Sequence, residues 1–322
     1  MPFTDADLTD GGLTDAGLTG RLTALDRQLR ELGSVLVAFS GGADSAFLLA
    51  AAVRALGPLS VAAATAVSPS LATDELAQAS RFANALGVVH EAPGTQEMSR
   101  PGYRANAGDR CYFCKAELLD VLGPVASRLG LAHVATGTNA DDAVAGFRPG
   151  IRAAAERGAV TPLREAGLTK AQVRLVSQAW GLPTWDKPAA ACLSSRIAYG
   201  IEITPARLAR VDVAEAALRA ALEHAGIAVR DLRVRDLGVE GARVEVDQAV
   251  VGVLRDRPEL LAAVQGFSSV TVDWRGFRSG SMNDLLTRPG VSSLNPAVGA
   301  AHCVGQDAAA PRSLAPAEPP HA

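Results

Sequence analysis

The chain has no run of about 18 consecutive apolar residues, the length a membrane-spanning helix needs. Its opening, Met1 to Asp10, has neither the basic start nor the apolar stretch of a secretion signal. A cytoplasmic protein with no membrane partner is expected. Charge of one sign is also scarce: 31 Lys and Arg stand against 34 Asp and Glu, a net charge of −3. With no global positive field, nucleic acid is not expected as a partner. Cysteine is rare. Four in 322 residues make no disulfide framework, and in a reducing compartment clustered cysteines bind metal or do chemistry. Hydrophobic residues are plentiful at 48%, enough for a sizeable core and two domains.

Both ends are poor in core-forming patterns. Residues 1–18 repeat a Leu-Thr unit rich in Gly and Asp, and residues 289–322 are rich in Pro, Ala and Gly. Neither stretch can bury enough apolar surface to offset its ordering entropy, so two flexible tails are expected. The second tail holds His302 and Cys303, and its composition argues against a catalytic role for either.

Between the tails, apolar runs alternate with helical patterns. Strands are expected at Val35–Phe39, Leu59–Ala66, Val88–His90 and His133–Thr136, and helices at Ala43–Leu56, Asp74–Leu86 and Lys115–Leu129. Such alternation predicts an α/β fold with a parallel sheet covered on both faces. From about Thr204 the pattern changes to a long helix over Pro205–His224, two short strands around Val234 and Val244, a helix near Gln248–Val264 and a strand at Val270–Val272. That is a smaller α+β domain.

The first strand runs straight into Ser40-Gly41-Gly42-Ala43-Asp44-Ser45 and then a helix. Two hydroxyls, two glycines that admit a close backbone and a helix N-terminus converge there, which makes an anion site. The spacing fits neither the Walker loop nor the dinucleotide fingerprint. The bland alternative is a glycine turn with a capped helix. Further on, Gly137-Thr138-Asn139-Ala140-Asp141-Asp142 follows a strand; clustered carboxylates at a strand end suit phosphate and Mg²⁺, or simply cap a helix. Cys111-Tyr112-Phe113-Cys114 precedes the helix opened by Lys115, and Cys192 leads Leu193-Ser194-Ser195-Arg196. A single C-x-x-C is compatible with a redox dithiol, half a zinc site, two ligands of an iron–sulfur cluster, or inert buried thiols. Flanking Arg110, Lys115 and Arg196 favour thiolate.

The SGGxDS loop resembles that of the ATP pyrophosphatase superfamily, which adenylates substrates with release of pyrophosphate. The further segments Arg110–Lys115, Arg148-Pro149-Gly150, Pro162–Lys170, Gly181–Ala189, Cys192–Arg196 and Phe277–Asn283 resemble the LarE family. Those are ATP-dependent sulfurtransferases that build the nickel-pincer nucleotide cofactor of lactate racemase. The resemblance spans about residues 20–287. It implies a Rossmann-like ATP pyrophosphatase domain over 19–200 and a substrate-binding α+β domain over 201–288. It also implies attack of a carboxylate of pyridinium-3,5-biscarboxylic acid mononucleotide on the α-phosphate of ATP, followed by displacement of AMP by sulfur.

By motif matching, Ser40, Gly41, Gly42, Asp44, Ser45, Gly137 and Thr138 would hold ATP, with Asp44, Asp141 and Asp142 as Mg²⁺ contacts. Cys192, Cys111 and Cys114 would be catalytic, either by sacrifice of the Cys192 sulfur or as ligands of a 4Fe–4S cluster carrying extra sulfide; three cysteines favour the cluster. Lys115, Ser195, Arg196, Arg233 and Arg235 would bind substrate, the last two alternating on a strand so that both guanidiniums reach one face. Glu215, on the long helix, is read as a surface carboxylate. The family further suggests a homo-hexamer and, as a sulfide source, a partner desulfurase. After Asp142 the chain reads Ala143-Val144-Ala145-Gly146-Phe147, without the acidic residue usual in the family. The rival readings are a tRNA thiolase, an amide-forming ligase of the same superfamily and a non-catalytic nucleotide-binding regulator.

Overall fold

The computed structural model describes residues 16–144, 149–188, 191–278, 280–282 and 284. Most of the expected tails, with His302 and Cys303, lie outside the described residues, as do Arg148, Ala189, Ser279 and Asn283 of the motifs.

Four short strands, β1 (Val35–Ala38), β2 (Val61–Ala64), β3 (Val89–Glu91) and β4 (His133–Thr136), form a wholly parallel sheet in the order β3-β2-β1-β4. Val35 aligns with Val61 on one side and His133 on the other. The residues of β1 and β2 are buried on both faces, which is why they read as continuous apolar runs rather than alternating ones. On one face, Val35, Val37 and Phe39 pack with helices α1 (Ala16–Leu32), α2 (Ala43–Leu56) and α3 (Thr73–Ala85). On the other, Leu36, Ala38, Ala62 and Ala64 pack against Leu122, Val125 and Ala126 of α4 (Arg110–Arg128). The chain is thus an α/β protein built on a Rossmann-like parallel sheet.

Three boundaries differ from the sequence reading. Helix α1, absent from the expected elements, starts at Ala16, inside the expected tail, because Leu18, Leu22, Leu25 and Leu29 form one buried stripe at helical spacing. Helix α4 starts at Arg110, so Cys111 and Cys114 lie within its first five residues instead of before it. Near the C-terminus, the helix that starts at Gln248 stops at Asp256 ahead of Pro258, and a separate 3₁₀ segment runs from there to Ala263. Two short helices, α5 (Ala140–Val144) and α6 (Pro149–Glu156), follow β4, and α7 (Lys170–Ala179) precedes the Cys192 turn.

The C-terminal part is a three-stranded mixed sheet. Strands β5 (Leu232–Asp236) and β6 (Ala242–Val246) are antiparallel, β6 and β7 (Val270–Val272) are parallel, and α8 (Pro205–His224) and α9 (Gln248–Asp256) lie against them. Their core is Leu218, Leu222, Leu232, Val234, Val244, Val246 and Leu254. A single bridge pairs Ile197, just past the Cys192 turn, with Asp236. That contact brings the cysteine turn to the arginine-bearing strand. Among the described residues no helix is long and apolar enough to cross a membrane.

Candidate active site

The loop from Ser40 to Ser45 is folded by its own hydroxyls. Ser45 Oγ donates to Gly42 O (3.1 Å) and accepts from Ser40 N–H (3.3 Å), while Ser40 Oγ lies 3.1 Å from Ser45 Oγ. Gly41 has φ +69°, a left-handed conformation that glycine adopts without strain. Gly42 caps α2 with no side-chain hydrogen bond, so the amides at that end face outward, as a site for an anion requires. The turn after β4 closes on this loop: a methyl group on Gly137 would stand 2.8 Å from Ser45 N and 3.0 Å from Asp44 C. Only a glycine permits that approach. Thr138 Oγ1 meets Thr136 Oγ1 at 3.1 Å at the same strand end.

The three aspartates have different surroundings. Asp142 Oδ2 accepts the N–H of Asn139 (3.2 Å), and Asn139 Oδ1 accepts those of Asp141 and Asp142, a reciprocal cap on α5. Asp141 Oδ2 accepts the N–H of Lys170 (2.8 Å) at the start of α7. Capping, the bland alternative for this motif, is therefore what both carboxylates do. Asp44 is different: one oxygen pairs with Lys170 Nζ, and Oδ1 is buried with no hydrogen-bond partner. An orphaned carboxylate oxygen beside a phosphate loop suits a divalent cation.

Cys111 and Cys192 are exposed and Cys114 is half-buried, all as free thiols. They share one electrostatic neighbourhood: Cys192 and Cys111 both act on Cys114 and on Arg110. Contrary to the expectation that flanking cations favour thiolate, the Cys114 thiol is pushed well up, first by burial and then by Cys192, Glu97 and Cys111, with Lys115 opposing. Burial lowers the Lys115 ammonium, while Cys114 and Asp142 hold it up, so Lys115 lies between the C-x-x-C turn and the Asp142 cap. Among the described residues no three His, Cys, Asp or Glu side chains form a group that could hold a metal ion. The three thiols are the right donor type for a cluster, but as placed they are not a preformed cradle for one.

The Cys192 turn is held from below. Leu193 N–H donates to Ser70 O (2.9 Å) in the loop that leaves β2, over the carboxyl edge of the sheet where open α/β folds bind ligands. Arg196 donates to the carbonyls of Ala191 and Cys192 and to Ser195 Oγ, and makes a two-point pair with Glu215, its Nε 2.9 Å from Oε1 and its Nη2 3.1 Å from Oε2. Arg196 is therefore engaged in fixing the cysteine turn. Glu215 is no surface carboxylate, since it also accepts Val234 N–H at 2.9 Å and ties α8 to β5.

Arg233 and Arg235 are both buried on β5. Arg235 donates twice to the fully buried Glu245, and its Nη1 donates to Ser195 O. Arg233 lies over the Phe277 ring, 5.3 Å from its centre, and donates to Leu232 O (2.7 Å). Burial, with Arg196 and Arg235 close by, lowers its guanidinium to about 10, while Glu215 and Asp231 pull the other way. A cation strained in this manner favours an incoming anion.

Several residues here carry no signal in a one-dimensional reading. Tyr103, from the short helix Pro101–Arg104 ahead of α4, places its hydroxyl 2.5 Å from Ser194 Oγ, and Arg110 donates to Ser194 O (3.0 Å) and to Asn106 Oδ1. Asn106 has φ 53° and its amide donates to the carbonyls of Ile197, Ala198 and Ile201. Lys170 and Lys187, both inside quoted motifs, stand beside the phosphate loop; Lys187 Nζ would be 3.8 Å from a methyl on Gly41.

No family model matches the chain. It is 43% identical over 274 residues to an uncharacterised protein of Synechocystis sp., covering 83% of this chain and 98% of that one. It is 35% identical over 263 residues to the pyridinium-3,5-bisthiocarboxylic acid mononucleotide synthase of Lactiplantibacillus plantarum, covering 81% of this chain and 92% of the synthase. An uncharacterised protein of Methanocaldococcus jannaschii matches at 26% over 176 residues, covering 54% and 66%. With the phosphate loop, the cysteine turn and the arginine-bearing strand assembled on this fold, and the synthase matched over nearly its whole length, the chain belongs to the LarE family.

Proposed function

We propose that the protein converts the carboxylates of pyridinium-3,5-biscarboxylic acid mononucleotide to thiocarboxylates, each by adenylation with ATP followed by sulfur transfer. A substrate carboxylate oxygen bonds to the α-phosphorus of ATP as the bond to pyrophosphate breaks. Sulfur then bonds to the acyl carbon, and AMP leaves with the former carboxylate oxygen. A carboxylate accepts no nucleophile until its oxygen is made a leaving group, and sulfur is the natural attacker once it is. The observation that carries this reading is the exposed Cys192 on a turn fixed over the sheet edge by Arg196 and Ser70.

In this reading Ser40, Gly41, Gly42, Ser45, Gly137 and Thr138 hold the phosphates, and Asp44 would hold Mg²⁺ through its orphaned oxygen. The cation neutralises phosphate charge as it builds on the leaving group. Asp141 and Asp142, each with one oxygen engaged by a backbone N–H, would be further Mg²⁺ contacts through the other. Arg233, with Lys115 and Ser195, would receive the substrate phosphate and carboxylate; Arg235, paired to Glu245, would hold the Ser195 carbonyl beside them. Cys192 would be the transferring thiol, exposed on the turn that Arg196 fixes. In the cluster route, Cys111, Cys114 and Cys192 would be the ligands of a 4Fe–4S cluster, which would supply an iron for sulfide.

The test is anaerobic purification with iron and sulfide counts, followed by incubation with ATP and the biscarboxylate. Pyrophosphate release dependent on the biscarboxylate, and thiocarboxylate formation lost in Cys192→Ala while pyrophosphate release continues, support the proposal. Pyrophosphate release indifferent to the pyridinium substrate defeats it. A Cys192 lighter by one H₂S after turnover marks sacrifice of its own sulfur; an intact Cys192 in a protein with about four irons marks the cluster route.

A further inference from the structure

Two lysine–carboxylate pairs flank the phosphate loop, and neither is explained by packing. On one side Lys170 Nζ pairs with Asp44, the loop's own carboxylate. On the other, Lys187 Nζ pairs with Glu75 at 2.7 Å and donates to Gln78 at 3.1 Å, and both Lys187 Nζ and Glu75 Oε2 stand within 4 Å of where a Gly41 side chain would begin. All four side chains are partly exposed, the range in which an ion pair adds little to stability.

Both lysines have fixed backbones and swinging ammoniums. Lys170 opens α7 behind a Thr169 capping box, its N–H taken by Asp141. The carbonyl of Lys187 accepts from Arg174 Nη2 at 3.1 Å. A lysine ammonium is a point charge on a four-carbon stem, so it changes partner by rotating side-chain bonds alone. Two carboxylates beside a loop built to hold a polyanion would repel that polyanion if nothing covered them.

We infer that Lys170 and Lys187 are the cationic contacts for the outer phosphates of ATP, kept on Asp44 and Glu75 in the ligand-free protein and handed to the phosphates on binding. The inference rests on the ATP-dependent reading above. It gives Glu75 a definite role as a competitor: it holds the Lys187 charge at the loop and is displaced from it by the triphosphate. Transfer of Lys170 leaves both Asp44 oxygens open to a cation.

Calorimetric titration of the whole protein with ATP, pyrophosphate and AMP tests this. Lys187→Met and Lys170→Met should each weaken ATP and pyrophosphate about 10- to 100-fold, the worth of one charge-assisted hydrogen bond, and leave AMP unchanged. Lys187→Arg keeps the charge and should restore most of the ATP affinity. Glu75→Gln should bind ATP more tightly than wild type, since its lysine is no longer contested; a purely structural pair would give a neutral or weaker binder. Thermal melts of the same variants confirm that they fold. Wild-type ATP affinity in both methionine variants, or unchanged or weaker ATP binding in Glu75→Gln, overturns the inference while the ATP-dependent reading survives. A wild-type protein that binds neither ATP nor pyrophosphate overturns both.

Discussion

Replacing Arg196 with alanine tests whether the Cys192 turn is held as described. The guanidinium side chain is 6% exposed and that of Glu215 14%, so solvent screens the pair little. Its removal leaves Glu215 with the Val234 amide and the neighbouring Arg233 charge, and strips the Ala191 and Cys192 carbonyls of a donor. Breaking one side of a buried ion pair costs about 3–5 kcal/mol, and Arg233 nearby places this case near the lower end. That corresponds to a fall in melting temperature on the order of 10 °C. Arg196→Lys keeps the charge but loses the fork, at about 1–2 kcal/mol. Because the partner is then already lost, adding Glu215→Ala to Arg196→Ala should cost much less than Glu215→Ala alone. The assays are thermal melting and the rate of Cys192 alkylation, which should rise as the turn loosens. An Arg196→Ala protein that melts with wild type and alkylates at the wild-type rate would refute the reasoning.

Three further outcomes are expected. Gly137→Ala forces a methyl onto the Ser45 and Asp44 backbone, about 1–3 kcal/mol of overpacking, and should abolish the rise in melting temperature expected when ATP is added to wild type; a retained rise would show that the loop yields. Tyr103→Phe removes the 2.5 Å contact to Ser194 inside a buried site and should cost about 1–2 kcal/mol by urea unfolding, whereas an unchanged midpoint would count against that bond. His90 should make the protein acid-sensitive: burial lowers it from 6.5, against a raising effect of Glu91, and the neutral ring sits between Thr65 and Ser80. The unfolded chain then takes up the proton first. Stability is complete above 6.5, falls as pH drops through 6.5 toward the lower folded value, and this fall should be reduced in His90→Gln when urea midpoints are compared from about pH 5 to 7.

What could be read from the sequence is local. The apolar runs of β1 and β2 and the loop Ser40–Ser45 between strand and helix are contiguous, and chain chemistry over a few residues determines them. The α/β class, the phosphate loop and the family motifs therefore came directly from the order of residues. The end of α9 ahead of Pro258 and the start of α4 at Arg110 were blurred, because periodicity marks elements better than boundaries. Helix α1 was hidden by its neighbourhood, a low-complexity opening that masks the Leu18, Leu22, Leu25 and Leu29 stripe.

The use of each charged group was decided only in three dimensions. Asp141 and Asp142 were open to a metal-ligand or a capping reading, and only the nearness of α7 and Asn139 showed which backbone amides they accept. Glu215 read as a surface carboxylate until α8 folded against β5 and delivered it to Arg196, 19 residues away in sequence. Lys170 and Lys187 meet Asp44 and Glu75 across 126 and 112 residues, and nothing in the local pattern announces either meeting. The sequence by itself determined which chemical groups the protein owns and the elements that carry them. Tertiary structure decided which charges face one another, because an ion pair depends on separation in space and on lost water, and neither is a property of neighbours in the chain.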